Sequence, residues 1–141
     1  MRKLLTAALA VAATTAAPTA AVIPISMQGG DINVTVSYKG KGPVDDKHNI
    51  VVFLFDHPDP TEGSQPLGMQ SIDKNGGTAT FRGITTDPVY VKLVYDEKSG
   101  YRGGPPPAGA PVGSYQKGGK PVPVKPGAKV TVSFDDSVRW K

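Results

Sequence analysis

The chain has 141 residues, two of them histidines, and no cysteine, which narrows what its side chains can do chemically. Nucleophilic catalysis needs a Ser or Cys beside an activating base, and only His48 and His57 can supply that base. His48 follows Asp45-Asp46-Lys47 in a polar stretch, and His57 sits in Asp56-His57-Pro58-Asp59-Pro60. The apolar run between them, extended at about 3.3 Å per residue, holds the two rings on the order of 25 Å apart. They do not share one site, and neither stands in a nucleophile-elbow context. The expectation is a protein that is not an enzyme.

Metal sites need several converging ligands. Asp56, His57 and Asp59 offer three within four residues, but side chains so close in sequence diverge unless the prolines fold the loop back, and a solvated loop is the expectation. Met27 and Met69 are thioethers of the kind copper uses; Met27 lies near an expected new N-terminus and Met69 suits a core. Calcium takes oxygen ligands, which Asp73 with Asn75 and Asp96 with Glu97 and Ser99 would supply. Neither group has the spacing of an EF-hand loop, and Asp, Asn and Gly in this order form turns. No metal and no cofactor are expected.

Aromatic side chains on irregular segments give large contact area at low entropic cost. Tyr101 and Tyr115 stand in a long Gly- and Pro-rich stretch, and Trp140 lies near the end between Arg139 and Lys141. These three are the candidate ligand-binding residues. The alternative is that the rings fold down over an open end of the domain.

The elements that must position these residues read as strands. Residues 31–38 alternate apolar and polar strictly, the period of a strand with one wet face. Residues 50–55, Ile-Val-Val-Phe-Leu-Phe, form a continuous apolar run of central-strand length, ended by the prolines that follow. Residues 67–73 read as a third strand with Leu67, Met69 and Ser71 on one side. Asn75-Gly76-Gly77 offers a tight turn, and residues 78–82 return as the second arm of a hairpin, with Ala79 and Phe81 inward. Val89, Val91, Leu93 and Tyr95 share one face of a fifth strand, with Lys92 on the other. A long loop, 96–120, follows with no single feature to organise it. Residues 121–124 suit an edge strand, since prolines are tolerated there, and Lys125-Pro126-Gly127 suits a type II turn. Residues 129–134 close the series with Val130, Val132 and Phe134 inward. About seven strands, turn signals between them and no helical period predict an all-β fold: a single antiparallel β-sandwich.

Arg2 and Lys3 precede an uncharged run of about 14 residues, which is short of the roughly 20 that span a bilayer, and small residues continue to Ala21. This is the pattern of a cleaved export signal, giving a leader over 1–21 and one domain over 22–141. Without cysteine there is no lipoprotein thiol and no disulfide framework. Of the net charge of +4, Arg2 and Lys3 supply two, leaving +2 on scattered Lys and Arg. Nucleic acid is not an expected partner, nor is a stable membrane anchor expected.

The stretch Asp73-Lys74-Asn75-Gly76, then Phe81-Arg82-Gly83-Ile84, then Val89-Tyr90-Val91-Lys92-Leu93 resembles a signature of transthyretin-like and carboxypeptidase-regulatory-like sandwich domains. Phe81 and Ile84 keep the family's three-residue spacing; Val89 stands where the family has Tyr, and Gly77 lengthens the turn by one. Residues 94–100 with 109–115 are also similar to a loop of a secreted bacterial family of unknown function. The resemblance spans about residues 31–135 and implies an immunoglobulin-like or transthyretin-like sandwich, secreted or periplasmic. The function expected is a noncatalytic exported module binding a protein, an envelope component or a glycan; the alternative is a structural subunit of an envelope or extracellular assembly, and behind both stands a calcium-dependent domain or an enzyme.

Overall fold

The computed structural model describes residues 29–61 and 63–141; the expected leader and Met27 lie outside the described residues. Nine strands follow one another: β1 (Gly30–Tyr38), β2 (Ile50–Phe55), β3 (Gly68–Ile72), β4 (Thr78–Ile84), β5 (Tyr90–Tyr95), β6 (Val112–Ser114), β7 (Gln116–Lys117), β8 (Lys120–Pro121) and β9 (Lys129–Phe134). They form a three-stranded sheet in the order β4-β1-β9, a four-stranded sheet in the order β3-β2-β5-β6, and the small hairpin β7-β8. The hairpin turns on Gly118 and Gly119, with φ of 60° and 77°, the left-handed pair that a two-residue turn between twisted strands requires.

The alternating strands do what their period dictates. Ile32, Val34, Val36 and Tyr38 of β1, Ala79 and Phe81 of β4, and Val132 and Phe134 of β9 point inward. They meet Ile50, Val52 and Leu54 of β2, Ile72 of β3, and Val91, Leu93 and Tyr95 of β5, which completes an all-β sandwich around one principal core. At one end Tyr38 stacks on Tyr95 with ring centroids 4.2 Å apart and leans on Phe134 at 5.0 Å. The Tyr95 hydroxyl donates to the Pro43 carbonyl at 2.5 Å.

Three expectations need correction. First, the sandwich is not wholly antiparallel: β1 and β9 run parallel, paired from Asn33↔Lys129 to Tyr38↔Phe134. Periodicity fixes which face a strand buries, but carries no information on strand direction. Second, the expected hairpin over residues 67–82 does not form, because β3 pairs with β2 and β4 pairs with β1, in different sheets. Asn75 is the corner: its Oδ1 accepts the Tyr38 N–H and its Nδ2 donates to the Tyr38 carbonyl, both at 2.8 Å, so the turn clamps across the sandwich. Third, segment 96–120 is ordered. It carries β6, β7 and the first residue of β8, which raises the strand count from about seven to nine.

Candidate functional site

The two outer faces of the sandwich differ. The outer face of the three-stranded sheet is polar, with Asn33, Thr35 and Ser37 beside Thr78 and Thr80, tied by Thr35 to Thr78 and Thr80 to Asn33 hydrogen bonds of 2.8 Å. That of the four-stranded sheet is apolar. Its registers set side chains in transverse rows: Met69, Phe53, Lys92 and Ser114 in one, and Ser71, Val51, Val94 and Val112 in the next. Val51, Phe53, Phe55 and Val94 are buried although they face away from the principal core, in a second apolar cluster with Ala110, Tyr101 and Val112.

Segment 96–112 buries them, and it is built to stay in place. Asp96, the one buried charged residue described (4 % exposed), accepts the Tyr101 N–H at 2.9 Å through Oδ2 and donates its own N–H to the Asn49 carbonyl at 2.9 Å. Tyr101 then sets its ring edge-on to Phe53, with centroids 6.4 Å apart, and its hydroxyl donates to the Gly104 carbonyl. Burial, aided by the nearby Asp96 carboxylate, pushes the Tyr101 phenol up to about 12.

The C-terminal residues strap this segment down. The Val112 N–H donates to the Val138 carbonyl, the Trp140 N–H to Ala110 and the Gly109 N–H to Trp140, at 2.8–3.0 Å, around a Pro111↔Arg139 bridge. Arg139 holds both Glu97 carboxylate oxygens, with Nη1 to Oε2 at 2.9 Å, and its Nη1 also donates to the Gly109 carbonyl at 2.7 Å.

Between segment 101–106, the loop after β2 and the C-terminal strap lies a groove of about 890 Å³, within the range of small-molecule sites. Its floor is Phe53, Phe55, Met69, Lys92, Val94 and Val112. Tyr101 and Trp140 both line it; Tyr115 does not, and packs against the principal core instead. Met69, in that floor, is 46 % exposed, and Leu67 near it in sequence is 41 % exposed, where a core role for Met69 was expected. Met69 falls on the outward face of β3, because Ile72 takes the inward phase, and Leu67 lies just before the strand.

Lys92 was not singled out by the sequence, where it reads as a solvent-facing residue of β5. It is half-buried, and burial pulls its ammonium below the usual lysine range, with Asp59 opposing weakly. The available signal was β2: six consecutive apolar residues require cover on both faces, and β2 is buried along its whole length.

The remaining candidates are engaged elsewhere. His48 pairs with Asp45 at 3.1 Å. His57 meets Asp56 at 2.5 Å through Nδ1 and Ser64 Oγ at 3.3 Å through Nε2, a hydroxyl, imidazole and carboxylate in sequence. The Ser64 hydroxyl also accepts the Thr61 N–H at 2.9 Å, while the Ser64 N–H donates to the Thr61 carbonyl at 3.0 Å. The backbone N–H groups of Thr61 and Ser64 are thus both engaged within the turn, and the imidazole and carboxylate side chains are 42 % and 60 % exposed. Of the oxygen clusters, Asn75 clamps Tyr38, Asp96 holds Tyr101 and Glu97 pairs with Arg139. Among the described residues no group of three or more His, Cys, Asp or Glu is arranged to hold a metal ion. No protein-family model, curated protein or solved structure matches the chain.

Proposed function

We propose that this chain is a noncatalytic exported binding module, a sandwich of the transthyretin-like and carboxypeptidase-regulatory-like kind, whose ligand lies in the groove on the outer face of the four-stranded sheet. One observation carries the reading: a concave, apolar-floored groove bordered by Tyr101 and Trp140 on a face that two separate segments are spent on enclosing. Rigid strands with loop-borne aromatics are a common way to hold a ligand without chemistry. The basic, then uncharged, residues 2–17 support export.

Trp140 is the only tryptophan, so its fluorescence reports on the groove directly. Titration of the secreted chain with envelope glycans, peptides and amphiphiles is expected to change the emission saturably for one of these classes. A spectrum unmoved by all of them, with no heat of binding by calorimetry, removes the reading.

A second reading, a structural subunit, is favoured by β3, an edge strand that presents Met69 to solvent with Leu67 exposed just before it. Light scattering over a wide concentration range separates the two: constant mass of one chain for a module, and mass growing with concentration for a subunit.

A further inference from the structure

Lys92 occupies the middle of the groove floor. Across the sheet its neighbours in register are Phe53 on β2 and Ser114 on β6, with Met69 beyond Phe53, and the adjacent row is Val51, Val94 and Val112. An ammonium placed on apolar surface loses hydration and regains it only from a partner of opposite charge. Among the described residues Arg139 pairs with Glu97 and Asp136, His48 and His57 lie against Asp45 and Asp56, and Lys92 makes neither an ion pair nor a side-chain hydrogen bond. Asp59 and Asp135 line the groove too, as does Arg102, but all three are exposed. Asp59 acts on Lys92 only at a distance.

The floor thus presents a half-buried cation that has no direct partner among the described residues, set among apolar side chains. We propose that the groove takes an amphipathic anion: an alkyl or acyl chain laid along the accessible apolar lining of Met69, Val138 and Trp140, with its carboxylate or phosphate on the Lys92 ammonium. The inference rests on the binding-module reading and names the class of its ligand. The apolar chain covers Met69 and Val138, which the sandwich leaves exposed, and the head group supplies a direct partner of opposite charge to Lys92.

The test uses the full chain and single-chain C12 probes below their micelle concentrations: dodecanoate, dodecyl phosphate, dodecyl maltoside and dodecyltrimethylammonium, with acetate and inorganic phosphate as headgroups alone. Affinities come from calorimetry, with Trp140 emission as the local readout. At least one of the two C12 anions is expected to bind ten-fold or more tighter than the maltoside, and acetate and phosphate at least a hundred-fold more weakly than their C12 counterparts. The ratio of dodecanoate to dodecyl phosphate shows which head group the site prefers. Lys92→Met, close in length and apolar, is expected to lower anion affinity to that of the maltoside and to leave the maltoside unchanged. A thermal melt no lower than that of the parent chain shows that this variant is folded; if it melts lower, Lys92→Gln serves for the same comparison.

Equal binding of the neutral, cationic and anionic probes, or anion binding unchanged in the Lys92 variant, overturns the inference and leaves the groove reading intact. So does a glycan or peptide that shifts Trp140 when no anion does. Tight binding of inorganic phosphate alone also overturns it, by showing an ion site without an acyl requirement. If no probe of any class binds, the groove reading falls with it.

Discussion

The Asp96 carboxylate accepts the Tyr101 N–H at 2.9 Å from a position only 4 % exposed, and this bond fixes the first turn of the segment that roofs the β2 aromatics. Replacement by alanine leaves the Tyr101 N–H without its acceptor, at a cost of about 1–3 kcal/mol. Asp96→Ala is therefore expected to lower the urea midpoint, with Asp96→Asn, which keeps an acceptor oxygen, losing less. Equal midpoints for Asp96→Ala and the parent chain would show that the segment is held by other means.

Arg139 joins the C-terminal strap to Glu97 and to the Gly109 carbonyl. Arg139→Gln loses the fork on Glu97, and the strap that carries Trp140 is expected to loosen. The readout is a red shift of Trp140 emission and faster quenching by acrylamide, both without loss of the far-ultraviolet β signal. Because the pair is exposed, 0.5 M salt should move the parent chain part of the way in the same direction.

Gly113 lies at the inner face of β6, where an added Cβ would stand 2.7 Å from Phe134 Cβ and 2.8 Å from its ring. An aromatic ring packed against Tyr38 does not swing aside freely, so Gly113→Ala should cost about 1–3 kcal/mol as overpacking. Gly113→Ala is expected to cost less in a Phe134→Ala background, which removes the ring atoms at 2.8 and 3.0 Å. Denaturant melts of the two single variants and the double variant give the coupling, and strict additivity would place the cost elsewhere.

Burial pushes the phenols of Tyr38 and Tyr101 up to about 12, with Asp136 adding to the first and Asp96 to the second. A phenol whose folded value lies above the unfolded value of about 10 binds its proton more tightly when folded. That stabilisation is whole below pH 10 and is lost as pH rises towards 12. The urea midpoint should fall across this window, more gently in Tyr101→Phe, and because burial also raises the Tyr95 phenol, ultraviolet difference spectra should show three of the five tyrosines ionising late.

Lys92 titrates in the opposite sense. Burial lowers its folded value, so the unfolded chain binds the extra proton and stability rises with pH as the folded ammonium discharges, up to the unfolded value near 10.4. Lys92→Met is expected to exceed the parent chain in stability at pH 7, with the difference shrinking towards pH 10. A difference that does not change with pH would assign it to packing rather than to desolvated charge.

The strands were legible wherever one rule sufficed. Alternation over 31–38, 89–95 and 129–134 identified β1, β5 and β9 and their buried faces, because a two-residue period has only one way to bury an apolar set. Partner and direction were not legible: the short turn at Asn75 reads as a hairpin, yet its side chain bridges to Tyr38 in the other sheet. Tyr101 and Trp140 could be named as loop aromatics from composition alone. Their meeting on one groove depends on the backbone bonds between 109–112 and 138–140, and such pairings between irregular segments leave no periodic trace. Lys92 was hidden because a lysine between Val91 and Leu93 looks solvated until the roof over β2 is in place.

The parallel pairing of β1 with β9 also has a mechanical consequence. β1 opens the described chain and β9 nearly closes it, and the two run in the same direction over six paired positions. Tension drawing the start of β1 away from the end of β9 therefore acts along both strands, and their rungs are sheared together rather than peeled one at a time. The same two strands in antiparallel register would open like a zipper under that pull. The sandwich thus meets force along the described chain with a seam loaded in shear.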